Sequence, residues 1–129
     1  MPKLGDKEKK LLDGKNFVFV ATINKDGTPQ LTPTWVDTDG ENVLINTAIG
    51  RKKVRNVEKD ERVAVGVFDM SNPYEHATFQ GKVVKQITGK QAEEHIDKMA
   101  KKYLGKDKYP YRTPSEKRVI FVVKPLKIY

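Results

Sequence analysis

The sequence predicts an α+β domain in which six mostly antiparallel strands form a small barrel, with two to three short helices beside it. Three observations carry this. Short β-rich apolar runs recur along the chain, at 17–23, 62–68 and 119–123. Tight turn signals such as Asp26-Gly27 and Asp39-Gly40 join neighbouring runs, which favours antiparallel pairing. Helical periodicity is confined to short stretches. A chain of 129 residues fits one compact domain over 1–129 and can bury a core.

The elements follow in order. Residues 6–14 read as a short helix with Asp6 as its N-cap and Gly14 just past its end. The continuous apolar run 17–23 predicts a strand buried on both faces. Asn24-Lys25-Asp26-Gly27 turns the chain into a second strand over 30–37, with Leu31, Pro33 and Trp35 on one side and Thr32, Thr34 and Val36 on the other. A third strand at 42–47 completes a meander. A helix follows at about 50–59, then a fourth strand at 62–68. Ser71-Asn72-Pro73 reads as a loop, and 76–87 as a long strand in which Gly81 marks a bulge or barrel bend. Thr88 and Gln91 have capping-box spacing at the start of a helix running to about 104. Ala92, Ile96, Met99, Ala100 and Tyr103 form its apolar face. Residues 105–116 are a loop rich in turn residues and aromatics, and 119–123 is the final strand.

Composition narrows the function. The formal net charge is +8 and the pI is about 9.6, so an anionic partner is expected: a phosphorylated cofactor, an acidic surface or nucleic acid. No apolar run reaches the roughly 18 residues of a membrane-spanning helix. The stretch Met1-Pro2-Lys3-Leu4-Gly5-Asp6 has no apolar signal core, so a cytoplasmic location is expected. The absence of cysteine excludes disulfides, thiol catalysis and Cys-zinc centres. His76 and His95 lack metal-ligand spacing. His95, among Glu93, Glu94 and Asp97, reads as a solvated residue on the exposed side of its helix. Ser71 and Ser115 have no nucleophile elbow, and no P-loop or dinucleotide fingerprint occurs. The hard part of any chemistry is therefore expected from a cofactor.

The strongest functional signal is Ala48-Ile49-Gly50-Arg51-Lys52-Lys53-Val54-Arg55-Asn56-Val57. It places four cations in five positions between a strand and a helix. The helix dipole is already positive at that end, so cations there oppose it. The same geometry favours an anion, because backbone N–H groups and cationic side chains converge on it. On its own, such a run is equally a solvated basic face.

The ordered motifs resemble the split-barrel flavin-binding proteins related to pyridoxamine 5′-phosphate oxidase, over roughly residues 8–129. Asp26-Gly27-Thr28-Pro29-Gln30 with Pro33-x-Trp35 is similar to that family's first hairpin and second strand. Thr47 with Arg51-x-Lys53-x-x-Asn56-Val57 is similar to its phosphate-binding turn. Asn72-Pro73-Tyr74 and Gly81-Lys82-Val83-Val84 are similar to its barrel strand. Residues 96–103, Tyr109-Pro110 and Arg118-Val119 resemble the tail of the branch that uses the deazaflavin F420. Gln30 and Trp35 stand where the vitamin-oxidase branch has an arginine and a lysine, and that branch's additional C-terminal substrate segment is missing. The deazaflavin branch is the better match.

The resemblance implies an FMN-binding split barrel acting as a homodimer, with the cofactor between subunits and a small-molecule substrate. Carried over, Arg51 and Lys53 hold the cofactor phosphate, aided by Lys52 and the Thr47 hydroxyl. Backbone groups of Leu31, Thr32, Pro33 and Thr34 reach the polar edge of the ring system, and His76 approaches from the partner subunit. Trp35 either stacks near the ring or belongs to the core. Lys52, Arg55, Lys7, Lys9 and Lys10 are candidates for the polyglutamate tail of F420. The implied activity is an F420-dependent reductase moving a hydride between the deazaflavin and an unsaturated substrate. Loop 105–116 is a candidate lid, and Tyr109, Tyr111 and His76 are candidate proton donors; no catalytic residue is assigned. The alternatives are an FMN-dependent oxidase or reductase, a non-catalytic cofactor carrier and a basic nucleic-acid-binding barrel. The last is disfavoured because aromatics are 9% and no strand interleaves them with basic residues.

Overall fold

The computed structural model describes residues 2–129. Among them, three helices accompany one curled antiparallel sheet of seven strands, a split barrel. The elements are α1 (Asp6–Asp13), β1 (Val18–Ile23), β2 (Pro29–Thr34), β3 (Asp37–Thr38), β4 (Val43–Ala48), α2 (Lys52–Lys59), β5 (Arg62–Asp69), β6 (Asn72–Thr88), α3 (Lys90–Leu104) and β7 (Arg118–Ile128). The strand order is β2-β1-β5-β6-β7-β4-β3. Alternation along β1 and β5 sends Val18, Val20, Val63, Val65 and Val67 inward. They meet Ile45, Phe79, Val119 and Phe121, and are closed over by Leu12 of α1 and by Val54 and Val57 of α2. A second cluster joins Ile96, Met99 and Tyr103 of α3 to Trp35 and Tyr109.

The seventh strand comes from a break in the segment expected to be one strand over 30–37. Its halves lie at opposite ends of the sheet: β2 pairs with β1, and β3 pairs with β4. The three-strand meander is therefore not formed. Helix α3 makes the break possible. The Val36 amide donates to the Tyr103 hydroxyl at 3.0 Å, and that hydroxyl donates to the Asn16 carbonyl at 2.6 Å. Lys102 Nζ donates to the Val36 and Leu12 carbonyls at 2.8 and 2.7 Å. The corner thus satisfies its polar groups without a sheet partner. Burial pushes the Tyr103 hydroxyl up to about 12, so it remains a donor. The Trp35 indole stacks on the Tyr103 ring at 5.0 Å.

Other expectations shift for local reasons. Strand β1 is buried on one face only: Phe19, on the other, is 43% exposed, because none of the described residues covers that side of the sheet. The β5–β6 turn is Met70-Ser71, so Asn72 and Pro73 open β6 instead of forming a loop. Thr88 ends β6, and Gly89 at φ 78° is the N-cap of α3, so no capping box forms there. Gly5, not Asp6, caps α1, and its amide donates to the Glu8 carboxylate at 2.8 Å. Strand β7 continues to Ile128, well past the expected end at 123. Gly81 does mark an irregularity: the β6–β7 register shifts there, and a Cβ would collide with the Lys124 carbonyl.

Candidate functional site

Strand β4 delivers Thr47 to the end of the sheet. Gly50, at φ 100°, then turns the chain into α2, a conformation that favours glycine. Arg51 is the N-cap of α2, makes no side-chain cap, and is followed by no acid in the first turn. Lys53 points inward with Val54, Asn56 and Val57 and is only 6% exposed. Among the described residues, no carboxylate or other acceptor reaches its ammonium group. Burial pushes the Lys53 pKa below the usual lysine value, and the like charges of Arg51 and Arg118 push it further.

Arg118 opens β7 directly across from Ala48 and is 5% exposed. Its Nη1 meets Glu116 at 2.6 Å, and Arg51 reaches the same carboxylate at 3.5 Å. Glu116 is the one carboxylate in ion-pair contact with this group among the described residues; it pairs with Arg51 and Arg118 and leaves Lys53 without an acid. Buried cations left unpaired are costly, which makes such a group a receptor for an anion. The Thr47 hydroxyl is buried without a hydrogen-bond partner, and so is that of Thr32. Orphaned buried hydroxyls are rare in folded proteins; the family resemblance implies cofactor contacts for the Thr47 hydroxyl and for the backbone of Thr32.

A cleft of about 210 Å³ joins the two parts of the expected site. Pro33, Thr34 and Trp35 line it from the end of β2, Arg51 from the phosphate-type turn, Asn46 from β4 and Arg118 from the start of β7. Tyr109 and Tyr111, from the loop expected to be a lid, line it as well. The Arg118 guanidinium lies over the Tyr109 ring at 5.2 Å. Strand β2 is a sheet edge. Pro29 and Pro33 cannot donate to β1, so their phase of the strand suits the free side. Between them Leu31 presents its N–H and C=O outward.

Not every candidate joins this cleft: Thr32, Thr47 and Lys53 lie behind its lining, which Arg51 alone supplies from the cationic run. Lys52 lines a separate exposed groove of about 510 Å³ with Lys25, Arg55, Lys59 and Arg62. His76 lies on the exposed side of β6 beside Phe19, Phe68 and Pro73. The Leu31 side chain is 61% exposed on the uncovered face of the sheet. None of Lys7, Lys9 and Lys10 lines the cleft. His95 is not solvated: its ring is 10% exposed, with Nε2 at 2.9 Å from Asp37 and Nδ1 at 3.0 Å from Asn46. The reason is the packing of α3 on β3 and β4, which its acidic sequence neighbours do not reveal. Asn46 escapes a reading of local sequence, and Arg118 is visible there only as a motif residue, since the two partners are 72 positions apart. Among the described residues, no cluster of three His, Asp or Glu side chains is placed to hold a metal. Among the same residues, no helix is long and apolar enough to cross a membrane.

A split barrel whose edge strand and cationic turn converge on one cleft defines an oxidoreductase of the flavin and deazaflavin kind. The chain belongs to the pyridoxamine 5′-phosphate oxidase family, which it matches over residues 4–129. An F420 reductase superposes with a TM-score of 0.83 at 28% identity, covering 98% of each chain. A conserved hypothetical protein of Mycobacterium tuberculosis gives 0.72 at 19% identity, covering 97% of this chain and 82% of that one. HupZ of Group A Streptococcus gives 0.67 at 18% identity, covering 98% and 92%. The last two show the shared fold. No curated protein sequence matches significantly.

Proposed function

We propose that the chain is an F420-dependent oxidoreductase acting on a small unsaturated organic substrate. The observation that carries this is Lys53, a buried cation with no acid of its own, beside Arg51, Arg118 and the unpartnered Thr47 hydroxyl. The likeness to an F420 reductase at 28% identity supports the deazaflavin over other ligands of the fold. The phosphate is a monoester in FMN, with a charge of about −1.5 to −2 at neutral pH, and a singly charged diester in F420; the excess of cations over carboxylate suits either anion. Lys53 and Arg51 hold that phosphate, with the Thr47 hydroxyl as a further donor. The outward backbone of Leu31 and Pro33 meets the polar edge of the ring. When bound, the deazaflavin supplies a hydride at C5. The protein supplies orientation, and Tyr109 and Tyr111 shield the cleft from water.

A volume of about 210 Å³ suits one part of such a cofactor, below the usual range for a whole ligand site. A second copy completes it in this proposal. The uncovered face of β1, β2 and β5 exposes Phe19 and Leu31, and beside them Ala21, Ile23, Pro29, Ala64 and Leu126 line an apolar depression of about 370 Å³. Docking two such faces buries these groups and carries His76 towards the partner's cleft. FMN is the second reading, since the family is one of flavin binders and the phosphate group is common to both.

The test is a fluorescence-quenching titration with F420 and, in parallel, with FMN at two salt concentrations. The chain has a single tryptophan, Trp35, and it lines the cleft, so its emission reports directly. Tight F420 binding with weaker FMN binding supports the proposal. Preference for FMN moves the protein to the flavin reading, and binding of neither overturns both.

A further inference from the structure

A chain of four side chains runs from the interior to the cleft, and each link has one allowed direction. Arg118 Nε–H donates to Asn46 Oδ1 at 2.9 Å. That fixes the Asn46 amide, whose nitrogen gives its hydrogens to the Ala92 carbonyl and to His95 Nδ1, both at 3.0 Å. A ring nitrogen that accepts carries no proton, so His95 holds its proton on Nε2 and donates it to Asp37 Oδ2 at 2.9 Å. Burial alone would raise the Asp37 carboxyl. Hydrogen bonds from His95 and the Thr38 amide, with the Lys98 charge, outweigh it and hold the group at about 2. Asp37 is therefore an ionised acceptor. The four residues come from β3, α3, β4 and β7, so the chain exists only in the folded protein.

We propose that His95 and Asn46 are positioning residues for Arg118: neutral, Nε2-protonated His95 holds the Asn46 carbonyl on the Arg118 guanidinium and so aims it into the cleft, and protonation of His95 releases it. This rests on reading the cleft as the cofactor-phosphate site. A protonated imidazole donates from both nitrogens. Its Nδ1–H then faces the Asn46 amide hydrogens, donor against donor. The amide turns over and presents those hydrogens to Arg118 Nε–H. Arg118 loses that acceptor and keeps Glu116 alone.

The charged groups around His95 are Asp37 from β3, Lys98 and Lys102 from its own helix, and Arg118 from β7 through Asn46. Glu93, also on α3, is engaged by Arg112 and by the Arg118 amide. Coulomb attraction alone would tighten an anion when His95 gains charge. The positioning chain has the opposite sign, so the cleft holds its anion less well at lower pH.

The experiment titrates F420 and FMN into wild type, His95→Gln and His95→Leu at about pH 7.5 and about pH 5.5. A glutamine accepts from Asn46, donates to Asp37 and does not titrate. Wild type and His95→Gln are expected within about twofold of each other at the higher pH, with wild type about tenfold weaker at the lower one. His95→Leu is expected to bind weakly at both. Parallel pH profiles for wild type and His95→Gln, or tighter wild-type binding at the lower pH, would overturn the inference. Nitrogen NMR of the ligand-free protein decides it independently of any cofactor. An unprotonated His95 Nδ1 is expected near neutral pH, and an Nδ1–H tautomer would overturn the chain. If neither cofactor binds any variant, the cofactor reading fails and the NMR result still decides the positioning chain.

Discussion

Helix α2 separates two basic regions that look alike in sequence and differ in their surroundings. On one side, Lys53 is buried beside Arg51 and the buried Arg118, and the one carboxylate there pairs with the two arginines only. On the other, Lys25, Lys52, Arg55, Lys59 and Arg62 line an open groove. Solvent screens those charges, and Arg62 is held by both oxygens of Asp60 at 3.0 and 2.7 Å. The groove has more cations, yet the cleft has the stronger demand for an anion. Charge density in a sequence marks a neighbourhood. Burial without a partner marks a site.

The sharpest way to break that comparison is Lys53→Met. Affinity for the phosphate-bearing cofactor should fall by about 1.5–3 kcal/mol, the range for a lost charged hydrogen bond. The melting temperature of the ligand-free protein should hold or rise, because an apolar side chain replaces a lysine whose stem is buried and whose ammonium group has no acid partner. A titration and a thermal melt on the same samples check both.

The pH dependence comes next. The folded pKa of Lys53 lies below its ordinary 10.5, so the unfolded chain binds more protons than the folded one between the two values. The penalty that Lys53 places on the fold is complete below its folded pKa and fades as pH rises towards 10.5. The stability gap between wild type and Lys53→Met should therefore narrow at alkaline pH. Cofactor affinity should fall over the same window in wild type alone. Urea unfolding and binding measured across the alkaline range test the two limbs.

Thr47→Val probes the orphaned hydroxyl. It should weaken the cofactor by about 1 kcal/mol and leave the ligand-free protein as stable or slightly more so. The smallest effects belong to the groove. Lys52→Ala and Arg55→Ala should each change stability by no more than about 0.5 kcal/mol. FMN binding should stay within about twofold of wild type, and any loss of F420 affinity through its glutamate tail should vanish at high salt.

The features readable from the sequence were those that depend on near neighbours. The turn from Thr47 through Gly50 to Arg51-x-Lys53 is local, and the structure buries Lys53 where helical spacing puts it. Gly81 announced its bulge for the same reason. The break at Trp35-Val36 was hidden because its cause, Tyr103 and Lys102, lies 67 and 66 residues further on. Leu31, Thr32, Thr34, Trp35 and Val36 suit a strand by themselves, and Pro33 suits an edge strand. His95 looked solvated because its sequence neighbours are acidic, while its contacts, Asp37 and Asn46, are 58 and 49 positions away. Arg118 was visible as a motif residue, but its burial against the cleft depends on the pairing of β4 with β7.

The central claim is that an unpaired buried lysine holds the cofactor phosphate. The most direct test is a calorimetric titration of F420 and FMN into wild type and Lys53→Met, with melting curves on both proteins. The account predicts at least about tenfold weaker binding by the variant, with no loss in melting temperature. Unchanged affinity for whichever cofactor binds wild type would contradict it.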